Sequence, residues 1–401
     1  MWIERSISPR LMRLAASRPV VVLTGARQTG KTALLRRLFP DHHYVTLDLP
    51  SEASQAEQDP VAFLQRHPAP LIVDEVQYAP SLFRHLKLVV DQERSEHGRY
   101  LLSGSQPFAL MQGVSESLAG RAAIVELGGL SSAELRPLSS AFNPLDLILR
   151  GGFPELHANR AIDPADYMAS YVATYLERDL RSLLQVNSLR DFERFLRAAA
   201  LRSGQLLNRA ELSRDVGISN STAGIWLSLL QRSGQVHLLE PWFANGTRQL
   251  SKSPKLYLCD SGLLAFLTGL HSERDLLNSP LLGNIWESWV VNDLLRQQQA
   301  MGQRHNLYFW RDRSQEVDLL MHRGGRFWLA DVKWNEQPDP RAARPLQKVR
   351  ALLPEGSVVD CALLCRAANP YPLQDVQVLP AQNTGEWLGL NPEASADPSA
   401  L

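Results

Sequence analysis

The sequence feature that most limits the possible folds of this chain is a glycine-rich stretch directly after a short apolar run. The run extends from Val20 to Leu23 and has the length of a buried strand. The stretch satisfies the pattern G-x-x-x-x-G-K-[ST] and precedes a helix predicted from near Thr32. Its residues are Gly25-Ala26-Arg27-Gln28-Thr29-Gly30-Lys31-Thr32. A strand, a glycine loop and a helix N-terminus in this order predict a loop that wraps the phosphates of a nucleoside triphosphate.

Each residue type in this loop has a physical reason. Glycines allow close backbone approach, so that N–H groups and the helix N-terminus face the phosphates. Lys31 is expected to neutralise the β and γ phosphates, and Thr32 to ligate magnesium. A glycine turn with an exposed lysine is the alternative. We predict that ATP and Mg²⁺ bind here, with loop contacts from Gly25, Ala26, Arg27, Gln28, Thr29 and Gly30.

An acid pair downstream supports this prediction. The apolar run Leu71 to Val73 ends in Asp74 and Glu75. We expect Asp74 to lie near the magnesium and Glu75 to polarise an attacking water. Such a pair at a strand end often only faces solvent, but together with the glycine loop it predicts ATP hydrolysis.

Two later strands supply further candidates. Ser103 and Ser105 end the strand that begins near Tyr100, which places small polar groups beside the nucleotide. The sequence does not choose between the two serines. Arg121, just before the fifth strand, is a candidate charge stabiliser for the transferred phosphoryl group, in the same subunit or a neighbour. A surface arginine explains Arg121 equally well.

Length and composition limit the class of protein. A chain of 401 residues is expected to contain two to four domains. Lys plus Arg and Asp plus Glu number 42 each, so nucleic acid or anionic lipid must be bound by a local patch. Three cysteines are too few for a disulfide framework. The apolar runs are strand-length and no secretory leader is recognisable, so we expect a cytoplasmic protein without a membrane span.

The pattern of elements predicts five parts. Residues 1–136 are expected to form an α/β domain around a buried parallel sheet, and residues 137–200 an all-helical lid. Residues 201–275 are expected to form a winged helix, 276–385 a second α/β domain and 386–401 a disordered tail.

The expected recognition helix of the winged helix carries little charge. From Asn220 to Leu230 it has no lysine or arginine, and Arg232 is the first. Arg248, Lys252 and Lys255 in the wing are candidates for phosphate contact. DNA contact and protein docking both stay open, and the segment Lys252 to Tyr257 is also expected to serve domain packing.

A second cluster of charged residues is predicted near the C-terminus. Gly324-Gly325 is a favoured two-residue turn, and a tight turn there places Asp318 opposite Asp331 and Glu316 opposite Lys333. These four residues share one face. The opposite face is expected to be an apolar layer of Val317, Leu319, Met321, Trp328, Ala330 and Val332.

Two aspartates that face each other repel, and a divalent cation would resolve the conflict. Glu287 lies on the apolar face of an upstream helix, where it needs a partner. We therefore predict that Glu287, Asp318 and Asp331 hold magnesium and activate a water against a phosphodiester, with Lys333 either orienting the water or stabilising developing charge. A solvated hairpin with outward charges is the alternative.

The chain resembles a family of bacterial and archaeal AAA-type ATPases that join a P-loop domain to a C-terminal region of unknown function. The resemblance extends from about Arg10 to Lys333, and its last part is similar to the restriction-endonuclease core, whose acid, acid-x-lysine pattern falls on Asp318, Asp331 and Lys333. It rests on Gly25 to Thr32, Asp74-Glu75, Ser103-Gly104-Ser105, Gly120-Arg121, Gly151-Gly152-Phe153-Pro154, Tyr175, Arg178-Asp179, Lys252 to Tyr257, Asp260 to Leu263 and Glu316-Val317-Asp318.

The resemblance implies a parallel-sheet AAA domain with a helical lid, followed by a winged-helix and a restriction-endonuclease-like α/β domain. The first functional hypothesis is an ATP-hydrolysing switch or motor that positions a metal-dependent nuclease-like domain on nucleic acid, with DNA favoured over RNA. The second is an ATP-regulated binding protein that does not cleave. A winged-helix transcription factor with an ATP switch is a third, and a homo-oligomer is compatible with each.

Overall fold

The computed structural model describes residues 1–105, 110, 113–114, 116–138, 143–176, 189–243, 253–303, 306–312 and 315–390. Strands and helices alternate in the first part. They are α1 (Ser8–Ala15), β1 (Val20–Thr24), α2 (Lys31–Leu38), β2 (His43–Thr46), α3 (Pro50–Gln58), α4 (Pro60–Arg66), β3 (Leu71–Asp74), α5 (Pro80–Gln92), β4 (Tyr100–Gly104), β5 (Ala122–Glu126) and α6 (Ser132–Leu135).

The first five strands form one parallel sheet in the order β2-β3-β4-β1-β5. Strand β1, which lies between β4 and β5, is buried along its whole length, because its apolar side chains pack against helices on both faces. The parallel sheet predicted from the apolar runs is confirmed. Since the carboxyl ends of parallel strands lie at one edge, the loop after β1 is beside the ends of β3 and β4.

The middle of the chain is mainly helical and ends in a small antiparallel sheet of order β6-β8-β7. Two strands of this sheet pair antiparallel with Val236 opposite Leu258. The elements are α7 (Pro144–Arg150), α8 (Pro154–Ala158), α9 (Pro164–Tyr171), α10 (Leu189–Ala200), β6 (Gln205–Leu206), α11 (Arg209–Val216), α12 (Asn220–Arg232), β7 (Val236–Leu239) and β8 (Lys255–Leu258).

The C-terminal part is a six-stranded mixed sheet of order β13-β14-β12-β11-β10-β9 with helices on it. Its elements are α13 (Ser261–Leu267), α14 (Glu273–Asn278), α15 (Leu282–Met301), β9 (Leu307–Arg311), β10 (Glu316–Arg323), β11 (Arg326–Val332), α16 (Arg344–Leu352), β12 (Val358–Cys365), β13 (Tyr371–Leu373), β14 (Val376–Pro380) and α17 (Thr384–Trp387).

The β10–β11 hairpin has the predicted register. Arg323 pairs with Arg326 and the ladder continues to Leu319 opposite Ala330, while both turn glycines have positive φ. The predicted apolar layer needs one correction. Val317 packs with Leu320 on the other side, because the pairing of β10 with β9 is irregular between these two residues. Both faces of the hairpin are therefore buried, and the solvated hairpin is excluded.

One hydrophobic core joins the middle and C-terminal parts, with members from Leu145 to Leu390. Leu388 and Leu390 are buried in it, which corrects the expectation that the disordered tail begins at residue 386. The rest of that expected tail, 391–401, lies outside the described residues. No helix in the described ranges is both long and apolar enough to cross a membrane.

Candidate nucleotide site and acidic cluster

The loop between β1 and α2 depends on its glycines. Gly25 has φ 141°, and a Cβ atom there would lie 2.2 Å from the carbonyl oxygen of Leu127. Gly30 has φ 88°, a left-handed conformation directly before the first turn of α2. Within the loop, the Thr29 hydroxyl donates to the Ala26 carbonyl at 2.9 Å. Only glycine fits these two backbone positions without strain.

Lys31 is buried at the start of α2 and is 6 % exposed. Its ammonium donates to the backbone carbonyls of Gly25 at 3.1 Å and Ala26 at 2.9 Å. Burial lowers the pKa of Lys31 to about 8, while the carboxylates of Glu75 and Asp74 act in the opposite direction. The cation is therefore held inside the curve of its own loop, where a phosphate oxygen would compete with the two carbonyls.

Asp74 collects the hydroxyl groups around the end of β3. The Thr32 hydroxyl donates to Asp74 Oδ2 at 2.8 Å, and the Tyr44 hydroxyl donates to the same oxygen at 3.2 Å. Ser103 donates to Oδ1. A hydroxyl and a carboxylate side by side are the hard oxygen donors that magnesium prefers, so the residues present fit this cation. Tyr44 was missed in the sequence because its strand carries no motif.

Glu75 adopts an unusual backbone conformation with φ 53°. Its Oε2 atom accepts from the backbone N–H of Ser105 at 3.1 Å, from the Ser105 hydroxyl at 2.8 Å and from the side chain of Gln77. The two candidate serines thus divide between the acids, with Ser103 on Asp74 and Ser105 on Glu75. A non-glycine residue in this region is strained, and such strain concentrates at functional sites.

Arg5 ties the glycine loop to the rest of the molecule and was missed by the sequence reasoning. It is 7 % exposed and donates to the carbonyls of Thr29 and Gly128, each at 2.8 Å. It also forms an ion pair with Glu134 at 3.0 Å. In the sequence nothing separates Arg5 from the other arginines near the N-terminus, because its partners are distant along the chain.

The middle part of the chain also reaches the loop. Tyr167 on α9 donates to Gln28 Oε1 at 2.7 Å. A cavity of about 230 Å³ lies where the loop, the middle part and α15 meet. Residues that line this cavity include Ala26, Thr29, Gly152, Phe153, Asp260 and Arg296. The side chain of Arg27, which also belongs to the loop, is half-buried.

Arg121 lies far from this phosphate site, which corrects the prediction for its own subunit. It precedes β5, whose first residue pairs with Val20 at the start of β1. The glycine loop follows the opposite end of β1, about 20 Å away at 3.3 Å per strand residue. Arg121 instead forms two hydrogen bonds of 2.7 Å with Asp91 on α5.

Asp318, Asp331 and Lys333 converge at the open end of the β10–β11 hairpin. The backbone N–H of Asp318 donates to Asp331 Oδ1 at 3.2 Å, and that of Val332 donates to Asp318 Oδ2 at 2.9 Å. Lys333 Nζ lies 3.3 Å from Asp331 Oδ2 and 3.8 Å from Asp318 Oδ2. At this end of the hairpin, the side-chain carboxylates of Asp318 and Asp331 therefore accept the backbone N–H groups in place of the predicted strand pairing.

The predicted magnesium-binding set of Glu287, Asp318 and Asp331 needs a correction, because the ammonium group of a lysine contacts two of these carboxylates. Lys255 Nζ lies 2.8 Å from Glu287 Oε1 and 3.5 Å from Asp318 Oδ1, and also pairs with Glu316. Lys255 was expected in the wing, but it is 2 % exposed and cannot contact a phosphate backbone. Within the described part of the chain, no three His, Cys, Asp or Glu side chains are grouped to hold a metal ion.

Burial and repulsion shift two of these carboxyl groups. Burial raises the pKa of Glu287 to about 7; Asp318 adds to the rise and Lys255 opposes it. Burial also raises the pKa of Asp331 to about 7, with Asp318 acting in the same direction and Lys333 against it. Near neutral pH, these two carboxyl groups are therefore partly protonated.

The family comparisons agree with the architecture of the first domain. A family described as AAA domain matches residues 17–136. Two families, each described as a domain of unknown function, match residues 143–274 (DUF8612) and 282–384 (DUF4143). The parallel sheet, the glycine loop with its acid pair and the AAA match define a nucleotide-binding ATPase of the AAA P-loop type.

Two mycobacterial proteins match almost the whole chain. They are the uncharacterized protein Rv2008c of Mycobacterium tuberculosis and the uncharacterized protein Mb2031c of Mycobacterium bovis. Each is 34% identical over 383 residues, which cover 94% of this chain and 83% of the mycobacterial protein. The chain belongs to the same family as these two proteins.

Solved structures give weaker likenesses. The Walker-type ATPase of Pyrococcus abyssi is 17% identical, with 66% of this chain and 96% of that chain covered and a TM-score of 0.44. The RuvB Holliday junction branch migration motor of Thermotoga maritima is 17% identical, with 62% and 95% covered and a TM-score of 0.32. Both scores are too low to support a conclusion about this chain.

Proposed function

We propose that this protein hydrolyses ATP with magnesium at the loop between β1 and α2. The observation that carries the proposal is the contact between Thr32 and Asp74, a 2.8 Å hydrogen bond beside the buried ammonium of Lys31. Thr32 and Asp74 would hold Mg²⁺, which supplies positive charge to the β and γ phosphates when bound.

The chain's own groups have separate tasks in this proposal. Lys31 exchanges the carbonyls of Gly25 and Ala26 for phosphate oxygens and places its charge on them. Glu75 accepts a proton from the attacking water. Because Ser105 and Gln77 bind Oε2, we assign Oε1 of Glu75 to the water. Gly25 and Gly30 keep the loop close enough for backbone donors to reach the phosphates.

Substitution of Lys31 tests this proposal. We expect Lys31→Ala to weaken ATP binding and to lower the hydrolysis rate by about 100-fold or more, the usual effect of removing a group that stabilises developing charge. ATP binding is measured with a fluorescent analogue and hydrolysis by phosphate release. Lys87→Ala, at an exposed position on α5, is the matched control. Hydrolysis by Lys31→Ala at the wild-type rate contradicts the proposal.

For the C-terminal domain we propose a metal-dependent nuclease-like activity on nucleic acid as a second candidate function. The convergence of Asp318, Asp331 and Lys333 supports it. The ion pairs of Lys255 with Glu287 and Asp318 support the rival, in which the domain binds nucleic acid or a protein without cleaving. Metal-dependent cleavage would require Lys255 to leave these carboxylates first, because its ammonium lies where the metal ion would bind.

Cleavage assays decide between these two readings. The full chain is incubated with single- and double-stranded DNA and RNA, with Mg²⁺ or Mn²⁺, and with and without ATP. The nuclease candidate predicts metal-dependent cleavage that Asp331→Ala abolishes and that the exposed-site control Asp375→Ala retains. Equal cleavage by Asp331→Ala and wild type indicates a contaminant and favours the rival.

We also propose that residues 201–275 form a winged helix, within a division of the chain at residues 136, 200, 275 and 385. The order β6, α11, α12, β7 and β8 supports this. Burial of Lys255 removes one expected phosphate contact, while Arg248 and Lys252 lie outside the described residues. The uncharged face of α12 favours protein docking over base contact.

A homo-oligomer would allow Arg121 to act on a neighbouring subunit's nucleotide. Arg121 is too far from its own glycine loop, but its guanidinium lies near the surface of the first domain, paired with Asp91. We propose this role for Arg121 only in an assembly, where the pair with Asp91 would have to open.

A further inference from the structure

Lys255 reaches from the small antiparallel sheet into the acidic cluster of the C-terminal part. This cluster consists of the carboxylates of Glu287, Glu316, Asp318 and Asp331. It lies on β8 of the small antiparallel sheet, whereas Glu287 lies on α15 and Glu316 and Asp318 lie on β10. The Nζ atom is 2.8 Å from Glu287 Oε1 and 3.5 Å from Asp318 Oδ1, and it pairs with Glu316 as well. An ammonium group this buried is tolerated only when it is paired, and here three carboxylates surround it.

The strand pairing of the small antiparallel sheet fixes the position of the Lys255 ammonium. The backbone of Lys255 pairs with Leu206 on one side and Leu239 on the other. Two residues further along the same strand, the Tyr257 hydroxyl donates to Glu287 Oε1 at 2.6 Å. Strand β8 therefore presents two donors to one carboxylate oxygen. The Lys255 ammonium also lies 5.6 Å from the ring centroid of Phe309, and this ring restricts the position of the ammonium on another side.

While the Lys255 ammonium is paired with these carboxylates, a metal ion cannot bind to the same oxygens. Four carboxylates, those of Glu287, Glu316, Asp318 and Asp331, face three cations. The cations are Lys255, Lys333 and Arg311. Lys255 alone contacts three of the four carboxylates, so a divalent cation bound to the same oxygens would lie against a like charge. The residues present thus do not fit the metal that the nuclease resemblance implies.

We propose that Lys255 is the resident cation of the acidic cluster and excludes divalent cations from it. The oxygens of Glu287, Asp318 and Asp331 become a divalent-cation site only when Lys255 is withdrawn or neutralised. The inference depends neither on ATP hydrolysis nor on strand cleavage.

Titration of the nucleotide-free full chain with Mn²⁺ tests this proposal. We expect Lys255→Met to gain one Mn²⁺ site per chain that is at least tenfold tighter than any site of the wild type. Lys255→Arg retains the cation and should gain none. Lys333→Met removes the same charge from the cluster but leaves Lys255 in place, and should also gain none. Adding Asp318→Asn to Lys255→Met should abolish the gained site.

Two results would overturn the proposal. One is a folded Lys255→Met chain, checked by circular dichroism, that binds Mn²⁺ no more tightly than the wild type. The other is an Mn²⁺ site in the wild type that Asp318→Asn abolishes. If Lys255→Met does not fold, Lys255→Gln replaces it, and if neither folds, the comparison of wild type with Asp318→Asn decides, since absence of an Asp318-dependent site supports the exclusion.

Discussion

Glu75 shows how single residues prepare the phosphate site. Its positive φ is costly for a residue with a Cβ atom, and it persists because Ser105 and Gln77 hold the carboxylate. Gln77 is 7 % exposed, so its amide lies in a poorly solvated environment where a hydrogen bond to a charged group is strong. We interpret Gln77 as a positioning residue for Glu75.

Replacing Gln77 should impair turnover more than binding. We expect Gln77→Ala to lower kcat for ATP about tenfold with little change in KM, because a lost hydrogen bond to a charged group corresponds to about 1.5–3 kcal/mol. Steady-state hydrolysis gives both parameters. Gln92→Ala, exposed on α5, is the control. A rise in KM with unchanged kcat would show that Gln77 does not act through Glu75.

Residues that belong to a recognisable motif could be predicted from the sequence, and those outside such a motif could not. Lys31 and Thr32 follow from the glycine-loop pattern and Asp74 from an acid at a strand end, and Thr32 contacts Asp74 as expected. Arg5 contacts residues 24 to 129 positions away. Lys255 meets Asp318 across 63 positions. No sequence pattern encodes such contacts, because they depend on how separate sheets pack.

At the scale of elements, the hairpin and the parallel sheet were the most predictable parts. A two-residue glycine turn sets the register of β10 and β11, and that register is confirmed from Arg323 to Leu319. Of the alternatives left open for Arg121, the nucleotide of its own subunit is excluded for a topological reason. A residue before a parallel strand lies at the edge opposite a loop that follows one.

The acidic cluster at the open end of this hairpin, which includes Glu287 of α15, predicts a pH-dependent stability. The folded-state pKa values of Glu287 and Asp331 are raised to about 7, whereas unfolded carboxyl groups titrate near about 4. The folded state thus binds more protons between these values. This stabilisation is fully present below about pH 4 and is lost as the pH rises through about 7. The urea midpoint in EDTA should therefore fall from pH 5.5 to pH 8.

Removing one of the two groups should reduce this fall. Asp331→Asn keeps the acceptor for the Asp318 N–H but cannot ionise, so its urea midpoint should change less between the two pH values. The exposed-site control Asp41→Asn should behave like the wild type. An equal fall in Asp331→Asn and wild type would show that Asp331 does not contribute to the pH dependence.

At the scale of the whole molecule, helix α15 joins the two charged sites. Asp293 accepts from the backbone and hydroxyl of Ser132, at 2.6 Å and 2.7 Å, and Arg296 donates to the carbonyl of Leu130 at 2.9 Å. Glu287 lies on the same helix, about 14 Å from Arg296 at 1.5 Å per residue. A rigid helix thus connects the segment behind the glycine loop with the acidic cluster.

This connection could not be read from the sequence. The apolar periodicity of α15 predicted a buried helix with one acid in need of a partner, and Glu287 has that partner in Lys255. The contacts of Asp293 with Ser132 and of Arg296 with Leu130 form because the first domain docks on the helix. Composition and periodicity specify the helices and strands. The docking of these elements depends on the shape of surfaces that exist only after the elements have formed.

A single-turnover measurement on Glu75→Gln is the most direct test of ATP hydrolysis at the loop between β1 and α2. ATP is mixed with excess protein and Mg²⁺, and ADP formation is followed by rapid quench alongside Glu4→Gln, an exposed control. We expect Glu75→Gln to bind ATP as the wild type does but to form ADP at least 100-fold more slowly, the range expected for loss of a general base. ADP formation at the wild-type rate would contradict this expectation.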